Sequence, residues 1–299
     1  MQLHLTLGPA TTRGGLTLYP LFRDAAPAAP YVCGPQAVSL GLGDAAELDG
    51  SASVPELQFR NGGSLPVLLL EGEMLVGGKQ NRTLNLSVLC PAASTTVIPV
   101  SCVERGRWGA PQRASHSARH ASPSLRRTKT ISSIRSERAG RGKRSDQTAV
   151  WSEVDRKLRA HAAPSATSAL EDVFSAVEQR GDRILLDDIR PLDDQVGVVA
   201  VMGGELAVLD LFDKPESLAM YWSALIDGYG LDAIDAPPVT VDDARIEGFI
   251  TAIESAAEEP ARATGLGAEV HFDAESVVGA ALLWDDALVH LSAYSLVPL

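Results

Sequence analysis

Residues 71–108, EGEMLVGGKQNRTLNLSVLCPAASTTVIPVSCVERGRW, decide the fold. Two apolar runs, 66–70 and 83–89, flank a polar hinge at 72–82, and a third run, 97–103, ends beside Glu104. Runs this short, punctuated by glycine and proline, read as strands of an antiparallel region. The hinge is the candidate site. Glu73, Lys79, Gln80, Asn81 and Arg82 bring a carboxylate, an amine, two amides and a guanidinium beside Gly77 and Gly78. Such a set suits an anionic or carbonyl-rich ligand, because a guanidinium grips phosphate or carboxylate through two parallel bonds while amides fix orientation. The glycine pair lacks the spacing of a phosphate loop, and the competing reading is a hairpin tip carrying solvated charges.

Cys102 lies near the end of the third run, with Glu104 on its face and Arg105 and Arg107 nearby. Neighbouring cations lower a thiol pKa and make a nucleophile, whereas an inert buried thiol is the commoner state of such a residue. Trp108 either stacks on a base or caps the core, and the core is expected. Of the six histidines, His271 and His290 fall in expected strands and neither belongs to an HxxxH or HxH cluster, so no metal site is expected. The GxSxG elbow of a serine hydrolase is missing.

N-terminal to the hinge, 3–7, 15–22, 31–42 and 55–59 continue the strand pattern, and Asn61-Gly62-Gly63 marks a turn. C-terminal to it, composition changes at 109–144 to Arg, Ser, Ala and His. A segment so poor in large apolar residues is expected to be a flexible basic insertion, with at most a partial helix around 124–138. Its RRTKT and RGKRS runs resemble phosphate or nucleic-acid patches, although solvated charge is the usual meaning of such runs.

Order is expected to return at Asp146, an N-cap for an apolar stripe of Ala149, Val150, Val154 and Leu158. A second helix at 166–178 stops at Gly181. The last third alternates: a strand at 196–202, a Gly203-Gly204 turn, a strand at 206–211, helices at 214–227 and 242–258, and strands at 270–272, 277–283 and 287–291. The fold class is α+β, a β-rich N-terminal part packed with a mixed α/β C-terminal part, single-domain-like over 1–299. At 299 residues, one domain with an insertion and two closely packed halves both fit.

The net charge is −12, yet of 26 basic and 38 acidic residues 12 and 3 respectively lie between Glu104 and Thr148. Nucleic-acid binding needs clustered cations, so it is not expected outside the basic loop. Three cysteines without a CxxC pair fit a reducing cytoplasm. No apolar stretch is long enough for a membrane span, and the N-terminus lacks the pattern of a signal peptide. A cytoplasmic protein without membrane contact is expected.

The blocks EGEMLVGGKQNRTLN, IPVSCVERGRW and SDQTAVW, in that order, resemble a bacterial and archaeal family, the first of the ADP-ribosylglycohydrolase and rhodanese-phosphatase-superfamily-associated domains. GELAVLDLFDKPE and VHLSAY continue the resemblance, which covers most of the chain. It implies association with ADP-ribosylglycohydrolase-type partner proteins and a role in NAD or ADP-ribose-linked metabolism, with no cofactor or mechanism to carry over. The matched blocks single out Glu73, Lys79, Gln80, Asn81, Arg82, Cys102, Glu104, Arg107, Trp108, Asp146, Gln147 and Trp151.

The leading expectation is a protein that binds or processes an ADP-ribose-like nucleotide derivative. Arg82 and Arg107 would contact phosphate, Gln80, Asn81 and Gln147 would orient sugar or base, and Glu73 or Glu104 would act as general base. Lys79, Trp108 and Asp146 complete the expected ligand contacts, with Cys102 as a less favoured nucleophile. The alternative is a noncatalytic interaction module whose basic loop docks a partner or nucleic acid.

Overall fold

In the computed structural model the described residues are 1–24, 27–48, 53–109, 113–182, 186, 188–234 and 236–299. They carry eighteen strands, β1–β18, and six α-helices, α1–α6, numbered in chain order. The class is α+β. Contacts divide the chain into two compact units, one made of 1–29, 185–263 and 267–299, the other of 30–184 and 264–266. The second is thus inserted into the first along the chain.

The first unit is an antiparallel sheet with a helix on each face. Its order is β1 (Thr6–Leu7), β3 (Leu16–Phe22), β13 (Gly197–Met202), β14 (Leu206–Phe212), β18 (Ala287–Ser295), β17 (Val277–Trp284), β16 (Ala268–Asp273) and β15 (Glu259–Ala261), with β2 (Thr11–Arg13) also paired to β3. Gly203 and Gly204, at φ of 59° and 77°, make the β13–β14 turn that their sequence announces. Because side chains alternate along a strand, Val199, Val201, Leu209 and Leu211 join Ile246, Phe249 and Ile253 of α6 (Asp243–Ser255) in one core. On the opposite face Phe212 stacks on Tyr221, and Tyr229 donates to Asp210 at 2.6 Å, both tyrosines belonging to α5 (Pro215–Ala233). No described helix is long and apolar enough to cross a membrane.

The second unit contains a closed barrel of six antiparallel strands. Their cyclic order is β11 (Ser94–Cys102), β6 (Glu56–Asn61), β5 (Gly43–Ala46), β12 (Arg113–His120), β8 (Glu73–Gly77) and β9 (Arg82–Leu84). Leu57, Phe59, Leu75, Leu84, Ile98, Val100 and Ala114 fill a shared core with Val67, Leu69, Val88 and Cys90. The last four come from β7 (Val67–Leu69) and β10 (Val88–Cys90), which form a small sheet with β4 (Val32–Cys33). The strand expected at 31–42 is instead β4 followed by α1 (Gly34–Ser39), whose Pro35 stands at a first-turn position where a missing N–H costs nothing.

The basic segment departs most from expectation. Residues 113–120 supply a barrel strand, and 123–138 form a sixteen-residue helix, α2 (Pro123–Arg138), with Leu125, Arg126, Lys129 and Ile134 fully buried. Burial here is achieved by ion pairing. Arg126 Nε donates to Glu71 Oε2 at 2.7 Å and Lys129 Nζ to Glu71 Oε1 at 3.0 Å, and Lys129 also donates to the carbonyl of Leu84. Two cations satisfied by one carboxylate let a polar helix pack where its apolar content alone would not. The following helices, α3 (Gln147–Ala160) and α4 (Leu170–Arg180), match their caps: Asp146 accepts from the amides of Thr148 and Ala149, and Gly181 adopts a φ of 76°.

Candidate functional site

The first half of the hinge is strand β8, not a connector, and only 78–81 form the turn into β9. That hairpin converges on Glu104, which accepts from the Asn81 amide at 3.0 Å, from Thr167 Oγ1 at 2.9 Å, and from Arg107 through Nε at 2.9 Å and Nη2 at 2.6 Å. Arg107 in turn donates to the carbonyl of Gly78 at 2.8 Å and to Asn81 Oδ1 at 3.0 Å. Gln80 donates to the carbonyl of Glu104 at 2.8 Å. Burial pushes the Glu104 carboxyl up, but the bonds from Arg107, Asn81 and Thr167 outweigh it and hold the group below the usual carboxylate range. Gln80, Asn81, Glu104 and Arg107, four of the expected site residues, thus meet in the structure. Their polar groups, however, are largely spent on one another.

The remaining hinge residues divide between buried and exposed. Arg82 is fully buried: its Nε donates to the carbonyl of Val54 at 3.2 Å, and burial pulls its pKa down. Glu73 is buried in β8, accepts from the Leu70 amide at 2.5 Å and lies 3.2 Å from His116 Nδ1. Neither side chain faces solvent as a phosphate contact or a general base would. Lys79 lies over the ring of Trp108, 5.3 Å from its centroid, and Trp108 is 53% exposed, so the tryptophan expected in the core is on the surface.

The Cys102 environment is that of an inert thiol. Cys102 is fully buried, its Sγ donates to the carbonyl of Glu104 at 3.0 Å, and burial raises its pKa, against the lowering expected from nearby arginines. Gln147 pairs with its backbone in both directions, accepting from the Cys102 amide at 2.9 Å and donating to its carbonyl at 2.7 Å. Gln147 thus fastens the start of α3 to β11.

A second constellation lies in the basic segment. Thr128, Ile131, Ser132, Arg135 and Ser136 fall on one face of α2 at helical spacing. With Gly140, Arg141, Arg144, Ser145, Asp146 and Ala149 they line a cavity of about 920 Å³. The connection between the helices folds back tightly: Arg141 N donates to Ser136 O at 2.9 Å and Arg144 N to Gly142 O at 2.9 Å, with Gly140 and Gly142 at φ of 69° and 75°. It is tied down by Asn85 Nδ2, which donates to the Lys143 carbonyl at 3.1 Å, and by a hydroxyl contact between Ser101 and Ser145. Arg141 and Arg144 are exposed at the cavity and have no ion-pair partner among the described residues.

Three guanidiniums against one carboxylate give this cavity a net positive charge, and its volume lies in the range of small-molecule sites. Of the residues expected to bind ligand, only Asp146 lines it. Arg135, Arg141 and Arg144 were not singled out, although the RGKRS run carried the signal. A helix-to-helix connection with glycines on either side of an arginine places successive cations at one end of both helices.

No curated protein and no solved structure matches the chain. A family model does match, and it covers residues 4–294. That is nearly the whole length of both units, and the chain belongs to the family of the ARG and Rhodanese-Phosphatase-superfamily-associated Protein domain.

Proposed function

We propose that this protein binds a phosphorylated, nucleotide-derived small molecule in the cavity between α2 and α3. The observation that carries the reading is the pair Arg141 and Arg144, two guanidiniums without acidic partners lining a roomy cavity in a protein of net charge −12. In an acidic molecule, unneutralised arginines concentrated at one concavity attract anions locally. Guanidinium is also the side chain whose geometry best matches phosphate. The family's description, which links the domain to ARG and rhodanese-phosphatase proteins, favours an ADP-ribose-linked ligand. The reading is one of binding, because the carboxylates expected to act as bases, Glu73 and Glu104, are buried and paired.

The test is equilibrium binding of ADP-ribose and AMP to the wild type and to an Arg141→Ala/Arg144→Ala double variant. Both arginines lie on the surface, so the variant is expected to fold. Loss of two charge-assisted contacts weakens binding by about 2–4 kcal/mol, a factor of roughly 30 to 1,000. Equal affinity in wild type and variant sinks the reading. Binding of single-stranded nucleic acid in preference to either nucleotide would instead support the basic segment as a nucleic-acid dock.

A further inference from the structure

Beyond phosphate, the cavity has a second chemical character that its arginines do not explain. Asp146 stands among the guanidiniums with one carboxylate oxygen, Oδ1, accepting from the amides of Thr148 at 2.9 Å and Ala149 at 3.2 Å. Those bonds have two consequences. The first turn of α3 is already capped, so its amides are not free to hold an anion. The other oxygen, Oδ2, has no partner among the described residues and is exposed. A carboxylate beside a phosphate site repels phosphate and accepts from hydroxyl groups.

Two of the four hydroxyls of the lining point the same way. Thr128 Oγ1 donates to the Ser124 carbonyl at 3.0 Å and Ser132 Oγ to the Thr128 carbonyl at 2.9 Å, so both turn their hydrogens into the helix. What these hydroxyls retain for a ligand are lone pairs, which accept. Phosphate, being an acceptor, gains nothing from them, whereas an alcohol does. Ile131 and Ala149 give a small apolar wall, enough for the C–H face of a sugar, and no aromatic residue lines the cavity among the described residues to stack a base.

We infer that the cavity recognises a sugar phosphate, with Arg141 and Arg144 on the phosphate and Asp146 Oδ2 accepting from neighbouring sugar hydroxyls, and that any base is left unread. The inference rests on the phosphate-binding reading above and names the part of the ligand that is selected. Asp146 is the specificity residue, since a carboxylate makes the site prefer a hydroxyl-bearing phosphate to a bare one.

The experiment compares ribose 5-phosphate, AMP and inorganic phosphate by titration calorimetry against wild type, Asp146→Asn and Arg141→Ala/Arg144→Ala. Asparagine caps a helix about as well as aspartate, so the Asp146→Asn protein keeps α3. Wild type is expected to bind ribose 5-phosphate and AMP within a few-fold of each other, and both at least about tenfold more tightly than phosphate, the usual size of a hydrogen bond to a charged group. In Asp146→Asn the ratio of ribose 5-phosphate to phosphate affinity falls towards one. Equal affinity for sugar phosphate and phosphate in wild type, or a ratio that survives Asp146→Asn, overturns the inference. If the arginine variant still loses both ligands, phosphate binding itself stands. Wild-type affinity that ignores the arginine pair overturns both.

Discussion

Glu104 shows how a residue that looks catalytic is consumed by structure. Four donors surround its carboxylate, and the Arg107 side chain that supplies two of them is 29% exposed while Glu104 is nearly closed off at 6%. Glu104→Gln replaces one acceptor oxygen with a donor that faces other donors, and about 3 kcal/mol of stability should be lost at neutral pH. The folded carboxyl lies below its ordinary value of 4.5. Its contribution is therefore fully present above that value and disappears as pH falls through the lower folded one. Urea denaturation should show the gap between wild type and Glu104→Gln at pH 7 and a narrower gap at pH 3; a gap that does not narrow contradicts the assignment. Cys102 makes the complementary case. Its buried, hydrogen-bonded thiol with raised pKa should resist iodoacetamide in the native protein and react only on unfolding, as should Cys90, whose thiol burial pushes up to about 12. Rapid native labelling at Cys102 would restore it as a nucleophile. The grouping of Asn81, Glu104 and Arg107 was legible in the sequence because turn and strand end are close in the chain; the saturation of their polar groups was not, since Thr167 and the Gly77 and Gly78 carbonyls enter only with the fold.

At the scale of elements, helices with local signals were readable and those held by distant charge were not. Asp146 capping α3 and Gly181 ending α4 act within a few residues of the helices they bound. By contrast RASHSARH carries no large apolar side chain, yet it forms β12 because a closed barrel needs a strand between β5 and β8 and the small Ala114 fits the filled interior. Helix α2 likewise depends on Glu71, far back in the chain. Glu71→Ala would leave Arg126 and Lys129 buried without their counter-ion, and it should cost about 3–5 kcal/mol. Thermal melting with far-ultraviolet circular dichroism would measure the loss, and an unchanged melting temperature would show that α2 is held otherwise. Gly72 marks the same junction: at φ 89°, an added Cβ would meet His120 Cε1 at 2.3 Å, so this turn accepts only glycine.

For the whole molecule, the two units build separate cores, the first on a sheet between two helices and the second on a packed barrel. Both cores use short strands, so the α+β class was readable, whereas the bounds of the two units were not, because the first unit is assembled from three separate stretches of chain. The charge distribution was visible too: an acidic protein with its cations gathered in one segment. What composition could not show is that this segment folds, and that folding gives its arginines a concave setting. The most direct test is hydrogen–deuterium exchange of the full chain with and without saturating ribose 5-phosphate. Protection concentrated in peptides spanning 128–149 is the predicted result. Protection at 72–82 and 104–108 with none at 128–149, or no protection anywhere at saturation, would contradict the assignment of the α2–α3 cavity as the ligand site.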